Sequence, residues 1–319
     1  MKQQGRISSM PLEKKRVLAI VNPAAGGGRT GKKWPDYEKV FKKYELEIEV
    51  VYTRRAGHAP LLTREALKQG YTRIMSVGGD GTVNEVVNGF FERGELVNPD
   101  SALIVFGSGT GSDLGRSLNI KRNPETVLKI IERGSKTFID LGRVTYVSNK
   151  QKKEKYFINL SDAGLGGATV ARIDRASKRL GGLLGYLLAA LKTLVKYENK
   201  YFSLIIDGRK IKSECLNSII VANGAYFAGG MEIAPGADLK SGLLDVVVIG
   251  DLSKGEIVTN LYKAYSGKHL SHPGVEVYRG KKIEIKSTEK VYLNIDGEAA
   301  GRLPAVFEVL PQKMPVLVM

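Results

Sequence analysis

The segment Ser76-Val-Gly-Gly-Asp-Gly-Thr-Val-Asn-Glu85 decides the fold of this chain, because it predicts a strand, a glycine loop and the start of a helix in immediate succession. Glycines at 78, 79 and 81 allow the backbone to approach a ligand closely and to present its N–H groups. The start of the following helix favours phosphate oxygens, because the N–H groups of a first turn carry the positive end of the helix dipole. The segment therefore predicts a phosphate site at the carboxyl end of a strand.

Polar side chains within this segment have two readings. Asp80 can hold a metal ion bound to phosphates, or it can fix the loop by accepting hydrogen bonds from backbone N–H groups. Thr82 and Glu85 have the spacing of a capping box, which would stabilise the helix whatever the protein does. We therefore expect the segment to combine a structural role with a ligand-binding role.

Two further glycine-rich loops follow predicted strands in the same half of the chain. One is Asn22-Pro-Ala-Ala-Gly-Gly-Gly28, and the other is Phe106-Gly-Ser-Gly-Thr-Gly-Ser-Asp-Leu-Gly-Arg116. The carboxyl ends of parallel strands meet at one edge of an open α/β sheet, where ligands bind. The three loops together predict one nucleotide crevice, although the first loop, read alone, is also an ordinary strand-to-helix turn.

Residues 16–139 alternate between apolar β-rich runs and helical segments, a pattern typical of a parallel sheet with helices on both faces. The predicted strands are Val17–Val21, Leu46–Thr53, Arg73–Val77 and Ala102–Phe106, and the predicted helices are Trp34–Tyr44, Ala59–Gln69, Thr82–Arg93 and a segment after Pro124. This fold class is a three-layer α/β domain with a mostly parallel sheet. We expect it to occupy residues 1–140.

Residues 141–319 have a different texture, in which short β-rich segments dominate. The predicted strands are Tyr156–Leu160, Phe202–Ile206, Asn217–Val221, Leu244–Ile249, Lys282–Ile285 and Val291–Ile295. This pattern predicts an antiparallel β-sandwich domain with one inserted helix over Val170–Tyr197, broken near Gly181. The apolar part of that helix is too short to span a bilayer, and we expect it to pack on the sheet. The polar stretch 147–155 predicts a hairpin turn.

Charge and cysteine content limit the class of protein. The chain has 319 residues, with 49 Lys+Arg against 33 Asp+Glu, and its formal net charge is +16. This balance favours an anionic membrane surface, a nucleic acid or a nucleotide as partner, unless it is only a solvated basic face. The single cysteine, Cys215, excludes an intramolecular disulfide and fits a reducing cytoplasm.

Targeting signals and metal-binding patterns are weak in the sequence. The first sixteen residues lack an apolar core, Met10 is an alternative start, and no run approaches the roughly 18 apolar residues that span a bilayer. We therefore expect a soluble or peripheral protein. His269 and His272 form an H-x-x-H pair without an evident carboxylate or thiolate partner, and we expect them at the surface.

Four motifs resemble the diacylglycerol kinase catalytic family, whose superfamily also includes sphingosine kinases, ceramide kinases and bacterial lipid kinases. GGDGTVNEVVNG at 78–89 is the most specific of them. NPAAGGG at 22–28, GTGSDLGRSL at 109–118 and NIDGE at 294–298 occur in the family's order and approximate spacing. The resemblance spans nearly the whole chain.

The resemblance implies a two-domain kinase that uses ATP and Mg²⁺ to phosphorylate a lipid hydroxyl, with diacylglycerol as the leading acceptor. The single cysteine and the basic charge balance predict a cytoplasmic enzyme that is peripherally associated with the inner face of the plasma membrane. The implied partners are the lipid substrate and an anionic membrane surface. Nucleic acid is not expected, and the resemblance permits a homodimer.

Site residues are carried over from the family motifs residue by residue. Asp296 is implied as the catalytic carboxylate that receives the proton of the lipid hydroxyl, and Asp80 and Asp113 are implied to organise magnesium and phosphate. The residues implied to contact the nucleotide are Asn22, Pro23, Thr53, Gly78, Gly79, Asp80, Gly81, Thr82, Asn84, Glu85, Gly109, Thr110 and Arg116. Without the resemblance, Asp296-Gly297 predicts only a hairpin turn.

Two positions depart from the family pattern. Ser112-Asp113 stands where the family has Asn-Asp, a mild change that keeps the carboxylate. In the loop 235–242, Ser241 stands where bacterial diacylglycerol kinases have an Asp that binds a structural magnesium. Asp238, Ser241 and Leu243 mark the family position of that metal, but the change at Ser241 argues against it.

Two other functional readings remain open from the sequence. An NAD kinase or a phosphofructokinase-like enzyme shares the glycine–aspartate loop and the parallel sheet, although NIDGE and GTGSDLGR argue against it. A nonenzymatic protein could instead use its positive charge to bind nucleic acid or anionic membrane. The intact Asp80 and Asp296 argue against this second reading.

Overall fold

A computed structural model describes residues 16–44, 46, 48–108, 111–172 and 182–319. The alternative start at Met10 lies outside these ranges. The structure has an N-terminal and a C-terminal part, which correspond to the two domains predicted from the sequence. Long strands run through both parts and connect them.

The N-terminal part is a parallel sheet covered by helices on both faces. Its elements are β1 (Val17–Val21), α1 (Arg29–Lys42), β2 (Ile48–Tyr52), α2 (Ala59–Lys68), β3 (Arg73–Gly78), α3 (Asp80–Gly89), β4 (Phe91–Glu92), β5 (Glu95–Leu96), β6 (Ala102–Gly107), α4 (Asp113–Ser117) and α5 (Pro124–Arg133). The parallel strands have the order β2-β1-β3-β6. The predicted three-layer fold is confirmed.

Apolar side chains on the two faces of these strands explain why helices cover both sides. On one face, Trp34 and Phe41 of α1 and Ile130 of α5 pack with buried residues of β1, β3 and β6. On the other face, the apolar residues of α2 and α3 pack against Ile20 and Ile74. Strands that are buried on both faces have continuous rather than alternating apolar sequences, and this is why the strand predictions were accurate here.

The C-terminal part contains the remaining strands and most of the irregular structure. Its elements are β7 (Ser135–Ser148), β8 (Gln151–Phe157), β9 (Leu160–Gly164), α6 (Leu165–Arg172), α7 (Gly182–Lys196), β10 (Lys200–Ile206), β11 (Arg209–Leu216), β12 (Ser218–Ala222), β13 (Tyr226–Phe227), β14 (Met231–Glu232), β15 (Leu244–Ile249), α8 (Lys254–Asn260), the 3₁₀ segments Leu261–Ser266 and Lys268–Ser271, β16 (Val275–Gly280), β17 (Lys282–Lys286), β18 (Tyr292–Ile295) and β19 (Glu298–Val318). The predicted single helix over Val170–Tyr197 corresponds to α6 and α7, and residues 173–181 lie outside the described part.

Two antiparallel layers enclose the core of the C-terminal part. One layer has the order β16-β15-β12-β9-β18, and the other contains β11-β10-β17-β19-β7-β8. Between them pack Phe157, Phe202 and Phe307, with aliphatic side chains from both layers. The predicted sandwich is confirmed, as is the hairpin turn between β7 and β8, where Asn149 and Lys150 adopt positive φ angles of 49° and 61°.

Two long strands connect the sandwich to the parallel sheet. β19 pairs with β7 from Arg302 opposite Val147 to Val318 opposite Ser135. Near its end, β19 also pairs in parallel with β6, with Val316 opposite Leu103. The boundary predicted between residues 140 and 141 therefore falls within β7.

Helix α3 is fastened to the C-terminal part by two asparagine side chains. Asn88 Nδ2 donates to the carbonyl of Tyr156 at 3.0 Å, and its Oδ1 accepts from the Tyr156 N–H at 3.0 Å. Asn84 Nδ2 donates to the same carbonyl at 2.9 Å.

Among the described residues, no helix is both long and apolar enough to cross a bilayer.

Replacing Asn88 by Ala should reduce the free energy of unfolding by about 1–3 kcal/mol, because the N–H of Tyr156 loses its partner at a half-buried junction. Thermal and urea unfolding of Asn88→Ala would measure this loss. Gln69→Ala is the matched control, since the amide of Gln69 lies at the surface. Equal stability of the two variants would contradict the fastening role of Asn88.

Candidate active site

A cleft of about 560 Å³ opens at the carboxyl ends of β1 and β3. Its walls come from both parts of the chain: Asn22, Pro23, Ala24, Ala25, Gly26, Thr53, Arg54, Arg55, Ala56, Gly79, Asp80, Gly81, Thr82, Glu85, Gly111 and Asp113 on one side, and Asn159, Phe227, Ala228, Gly229, Asp296, Gly297 and Glu298 on the other. The convergence of the glycine loops is confirmed for their described residues. Gly109 and Thr110 lie outside the described part.

The start of α3 is built to receive an anion. Gly78 must lack a side chain, because a Cβ there would lie 2.4 Å from Oγ1 of Thr82. That hydroxyl accepts a hydrogen bond of 3.0 Å from Asn22 Nδ2, which joins the first and second loops. Gly79 is the N-cap and supplies no capping side chain, so the first N–H groups of this ten-residue helix remain available to a ligand.

The capping box predicted for Thr82 and Glu85 is wrong. No side chain caps α3. Instead, the Glu85 carboxylate accepts hydrogen bonds from the N–H groups of Gly57 and Ala59, at 2.7 and 3.2 Å. Glu85 therefore fixes the loop before α2 against α3, because this tertiary contact satisfies two N–H groups that a local cap would leave unpaired.

Asp80 and Asp113 form a carboxylate pair at the floor of the cleft. Asp80 accepts hydrogen bonds from the N–H groups of Ser112 and Asp113, at 2.8 and 2.6 Å. Asp113 accepts from Arg116 at 3.0 Å and from the N–H of Gly229 at 3.0 Å. Arg116 is thus the electrostatic partner of Asp113, but it does not line the cleft.

Burial raises the pKa of Asp80, and burial together with the charge of Asp80 raises the pKa of Asp113 to about 6. Two adjacent buried carboxylates create a site with excess negative charge when both are ionised, which a divalent cation would offset. Both have oxygen atoms near the cleft, and Mg²⁺ prefers such ligands. The donor set therefore fits a magnesium ion bound together with phosphates.

Asp296 lies on the opposite wall, at the turn between β18 and β19. Its Oδ1 accepts from the N–H groups of Asn159 and Leu160, at 3.0 and 2.9 Å. Its Oδ2 accepts from the N–H of Ile158 and from Asn84 Nδ2, both at 2.7 Å. Burial raises the pKa of Asp296 to about 6, against the opposite effect of these four donors.

The expected site residues have different positions around the cleft. Asn22, Pro23, Thr53, Gly79, Asp80, Gly81, Thr82, Glu85, Asp113 and Asp296 line it. Gly78 lies beneath the loop, Asn84 contacts the cleft only through Asp296, and Arg116 acts through Asp113. Their individual roles remain predictions.

Several residues of the cleft were missed by the sequence reading. Glu298 lines it, and its Oε2 forms an ion pair of 2.6 Å with Lys155. Arg54 and Arg55 add positive charge at the rim. The turn 227–230 contacts the N-terminal part through a hydrogen bond from the N–H of Gly229 to Asp113. The NIDGE motif contains Glu298, but the sequence carries no local signal for the turn, which is brought to the cleft by tertiary packing.

A second cavity, of about 170 Å³ and mostly apolar, lies in the C-terminal part beside the cleft. It is bounded by α6, α7, α8 and the 3₁₀ segments, and its walls include Leu165, Leu187, Ile220, Met231, Ile257 and Leu261. Phe227 lines both cavities. Leu160 separates them, because its N–H binds Asp296 while its side chain lines the apolar cavity.

One wall of this second cavity corrects an expectation for the histidines. His269 is only 6% exposed rather than superficial. Its Nε2–H donates to the carbonyl of Ile233 at 3.0 Å, which leaves Nδ1 buried as an acceptor without a partner among the described residues. Burial lowers the pKa of His269 and so keeps the ring neutral.

The predicted structural metal position lies in the loop after β14. The Ser241 hydroxyl is within hydrogen-bonding distance of the carbonyls of Asp238 and Leu243, at 3.0 and 3.2 Å, and one Asp238 oxygen accepts from the N–H of Lys240. A hard divalent cation takes about six or more oxygens, usually with several carboxylates. A hydroxyl between two carbonyls does not fit such an ion, since its proton already satisfies an oxygen that a metal would need.

Ser241→Asp should create dependence of this loop on magnesium. We expect Mg²⁺ to raise the Tm of this variant more than that of the wild type. At a Mg²⁺ concentration one hundred times the dissociation constant, the added free energy of unfolding would be about 2.7 kcal/mol. Thermal unfolding with and without Mg²⁺ would measure the difference. Ser241→Ala is the control, and its Tm should fall equally in both conditions. An equal magnesium response of wild type and Ser241→Asp would contradict the explanation.

Comparisons with known proteins agree with both halves of the structure. Residues 16–144 match the diacylglycerol kinase catalytic domain, and residues 162–318 match the YegS C-terminal NAD kinase beta sandwich-like domain. The diacylglycerol kinases of Staphylococcus carnosus (strain TM300) and Staphylococcus aureus (strain bovine RF122 / ET3-1) are each 28% identical over 303 residues. These matches cover 95% of this chain and 95% and 92% of the relatives.

A solved structure of a diacylglycerol kinase from Bacillus anthracis str. Sterne shares the fold. It has a TM-score of 0.66 and 20% sequence identity, with coverage of 96% of this chain and 97% of that one. The two domain matches, the full-length relatives and the observed architecture lead to one assignment. The chain carries a diacylglycerol kinase catalytic domain, followed by a domain of the YegS C-terminal type, and it is a lipid kinase of the diacylglycerol kinase type.

Proposed function

We propose that this kinase transfers the γ-phosphoryl group of ATP to the hydroxyl of a diacylglycerol-like lipid at a membrane surface. The observation that carries the proposal is the junction of the polar cleft with the apolar cavity at Leu160 and Phe227. A phosphate site alone suits many kinases. An apolar cavity next to it favours an acceptor that combines a hydroxyl with a hydrocarbon chain.

The residues of the cleft have complementary tasks in this proposal. The N-terminus of α3 and the loop Asn22–Gly26 receive the phosphates, and Arg54 and Arg55 add positive charge at the rim. Asp80 and Asp113 would hold Mg²⁺, which neutralises charge on the phosphates when bound. Positioning and electrostatic stabilisation account for most of the acceleration in phosphoryl transfer, and these residues are held by hydrogen bonds before any ligand arrives.

Asp296 is the proposed acceptor of the hydroxyl proton. A pKa of about 6 leaves it ionised at neutral pH and able to accept a proton. All four acceptor positions of its carboxylate are in use, so one donor must give way to the lipid hydroxyl. The side chain of Asn84 is the one donor of the four that does not belong to the backbone, and we propose that it moves.

Different observations support the proposed acceptor lipid and the proposed cellular location of the enzyme. Diacylglycerol is proposed because the relatives are named for it. The net charge of +16 suits an anionic membrane surface, to which each nearby Lys or Arg contributes about 1 kcal/mol. We accordingly propose a cytoplasmic enzyme that associates peripherally with the inner face of the plasma membrane. A homodimer is compatible with the proposal but is not required by the cleft, which one chain completes.

The first test is a magnesium-dependent transfer assay with γ-labelled ATP and mixed micelles of diacylglycerol, monoacylglycerol, sphingosine, ceramide, phosphatidylglycerol or an isoprenoid alcohol. We expect labelled lipid from the wild type and a loss of about 10²-fold or more in Asp80→Asn, because the carboxylate that organises metal and loop is gone. Asp100→Asn, in an exposed turn, is the matched control. Label on NAD or fructose 6-phosphate instead of lipid would replace the proposal with the alternative kinases.

The pH profile tests the role of Asp296. Wild-type turnover should fall as the pH drops below about 6, because protonation of Asp296 removes the acceptor, and protonation of Asp113 weakens metal binding in the same range. Asp296→Asn should lose most turnover, about 10²–10⁴-fold, with ATP affinity nearly intact. Glu298→Gln is the matched comparison, since Glu298 lies in the same turn. Near-normal turnover in Asp296→Asn, with loss in Glu298→Gln, would transfer the role to Glu298.

A further inference from the structure

The outer faces of α7 and the segment 254–266 expose an unusual number of large apolar side chains. On α7 these are Leu188, Leu191 and Val195, and on the second segment they are Val258, Tyr262 and Tyr265. Val195 and Tyr262 are 69% and 70% exposed. Leu188, Leu191 and Val195 lie along one face of α7, whereas Tyr262 and Tyr265, three residues apart in a 3₁₀ segment, lie one above the other and follow Val258 of α8. We call these six residues the apolar face.

The two halves of the apolar face belong to one surface. Lys254 Nζ, at the start of α8, donates a hydrogen bond of 2.5 Å to the carbonyl of Val195, near the end of α7. The two elements also share the apolar cavity beneath them. Leu187 and Ala190 of α7 line it, as do Ile257, Leu261 and Ala264 of the second segment. Each element therefore directs some of its apolar side chains into the cavity and others toward the solvent.

Basic side chains surround the apolar face. Five lysines lie on or beside its two elements: Lys192, Lys196, Lys254, Lys263 and Lys268. Four acidic residues lie in the same region, but Glu256 is engaged by Ser253 in a capping box, and Asp251 accepts from Asn199. Glu198 and Glu232 are the other two. The local balance is positive, as is that of the whole chain.

We propose that the apolar face inserts into an anionic bilayer and delivers the acceptor lipid directly into the cavity beneath it. This inference rests on the proposed function and names the docking surface of the same site. Apolar side chains flanked by lysines are the pattern of interfacial helices that lie in the headgroup region of anionic membranes. The bilayer is favoured over a second copy of this chain, because lysines beside the face would repel those of an identical face.

The position of the cavity explains the advantage of such docking. A lipid that moves from the bilayer into this cavity keeps its hydrocarbon out of water throughout. His269 adds one neutral polar group to the mostly apolar wall. Beyond Leu160 and Phe227 lies the cleft with Asp296. The apolar face, the cavity and the cleft thus lie in succession, and the proposal brings the acceptor from the first to the last.

Vesicle binding tests the docking without any transfer reaction. Wild-type protein is sedimented with vesicles of phosphatidylserine and phosphatidylcholine, which contain none of the candidate acceptor lipids, and without ATP. The variant Leu191→Asp/Tyr262→Asp should bind about tenfold or more weakly, because two charges replace apolar groups that would enter the bilayer. Leu61→Asp, at a 51% exposed leucine of α2, is the matched control and should bind like the wild type. Equal binding of the double variant and the wild type would overturn the proposal.

A fluorescent probe reports insertion itself. In a Cys215→Ser background, an environment-sensitive dye on Val195→Cys should brighten and shift to the blue with anionic vesicles, whereas the same dye on Leu61→Cys should not. An unchanged signal at position 195 would contradict insertion. A dimer in sedimentation that the double variant dissociates, without vesicle binding by the wild type, would instead make the face a contact between two copies. If the protein binds vesicles but phosphorylates no lipid, the proposed function fails while the docking surface stands.

Discussion

The carboxylate of Asp296 is the constraint on which the cleft depends. It gathers three consecutive N–H groups, those of Ile158, Asn159 and Leu160, and the side chain of Asn84. Hydrogen bonds to an ionised carboxylate are stronger than those between neutral groups. A buried carboxylate needs such bonds, because burial of an unpaired charge costs much free energy. Helix α3, the strand junction of the sandwich and the turn after β18 are thereby held in one geometry. The same atoms that fix the architecture also face the proposed acceptor.

Much of the fold could be predicted because its signals are local. β1 and β15 have the bounds expected from their apolar runs, and the glycine loops mark the ends of their strands. Gly78 shows why such a loop is readable from sequence, since any side chain there would collide with Thr82. The carboxylates Asp80 and Asp113 were expected near phosphate, and the structure places them together. These strands and loops are determined by residues that lie close to them in the sequence.

The remainder depends on contacts between residues that are distant in the chain. Glu85 has the spacing of a cap but binds the loop before α2, because two unpaired N–H groups lie within its reach. Asn84 meets Asp296 across 212 positions of sequence. His269 sits in a polar stretch yet is buried, since the 3₁₀ segments fold over the sandwich. The apolar cavity follows from this same packing, and periodicity alone carries no sign of it.

The path of β19 has a consequence for how the protein forms. Val316 completes the parallel sheet by pairing with Leu103, so β6 is an interior strand only after the far end of the chain has arrived. Before that point during synthesis, the nucleotide-binding half carries an open edge of buried, apolar sequence. Open edges invite pairing with other chains. The two halves are therefore expected to mature together, once β19 has been synthesised and has paired with β6.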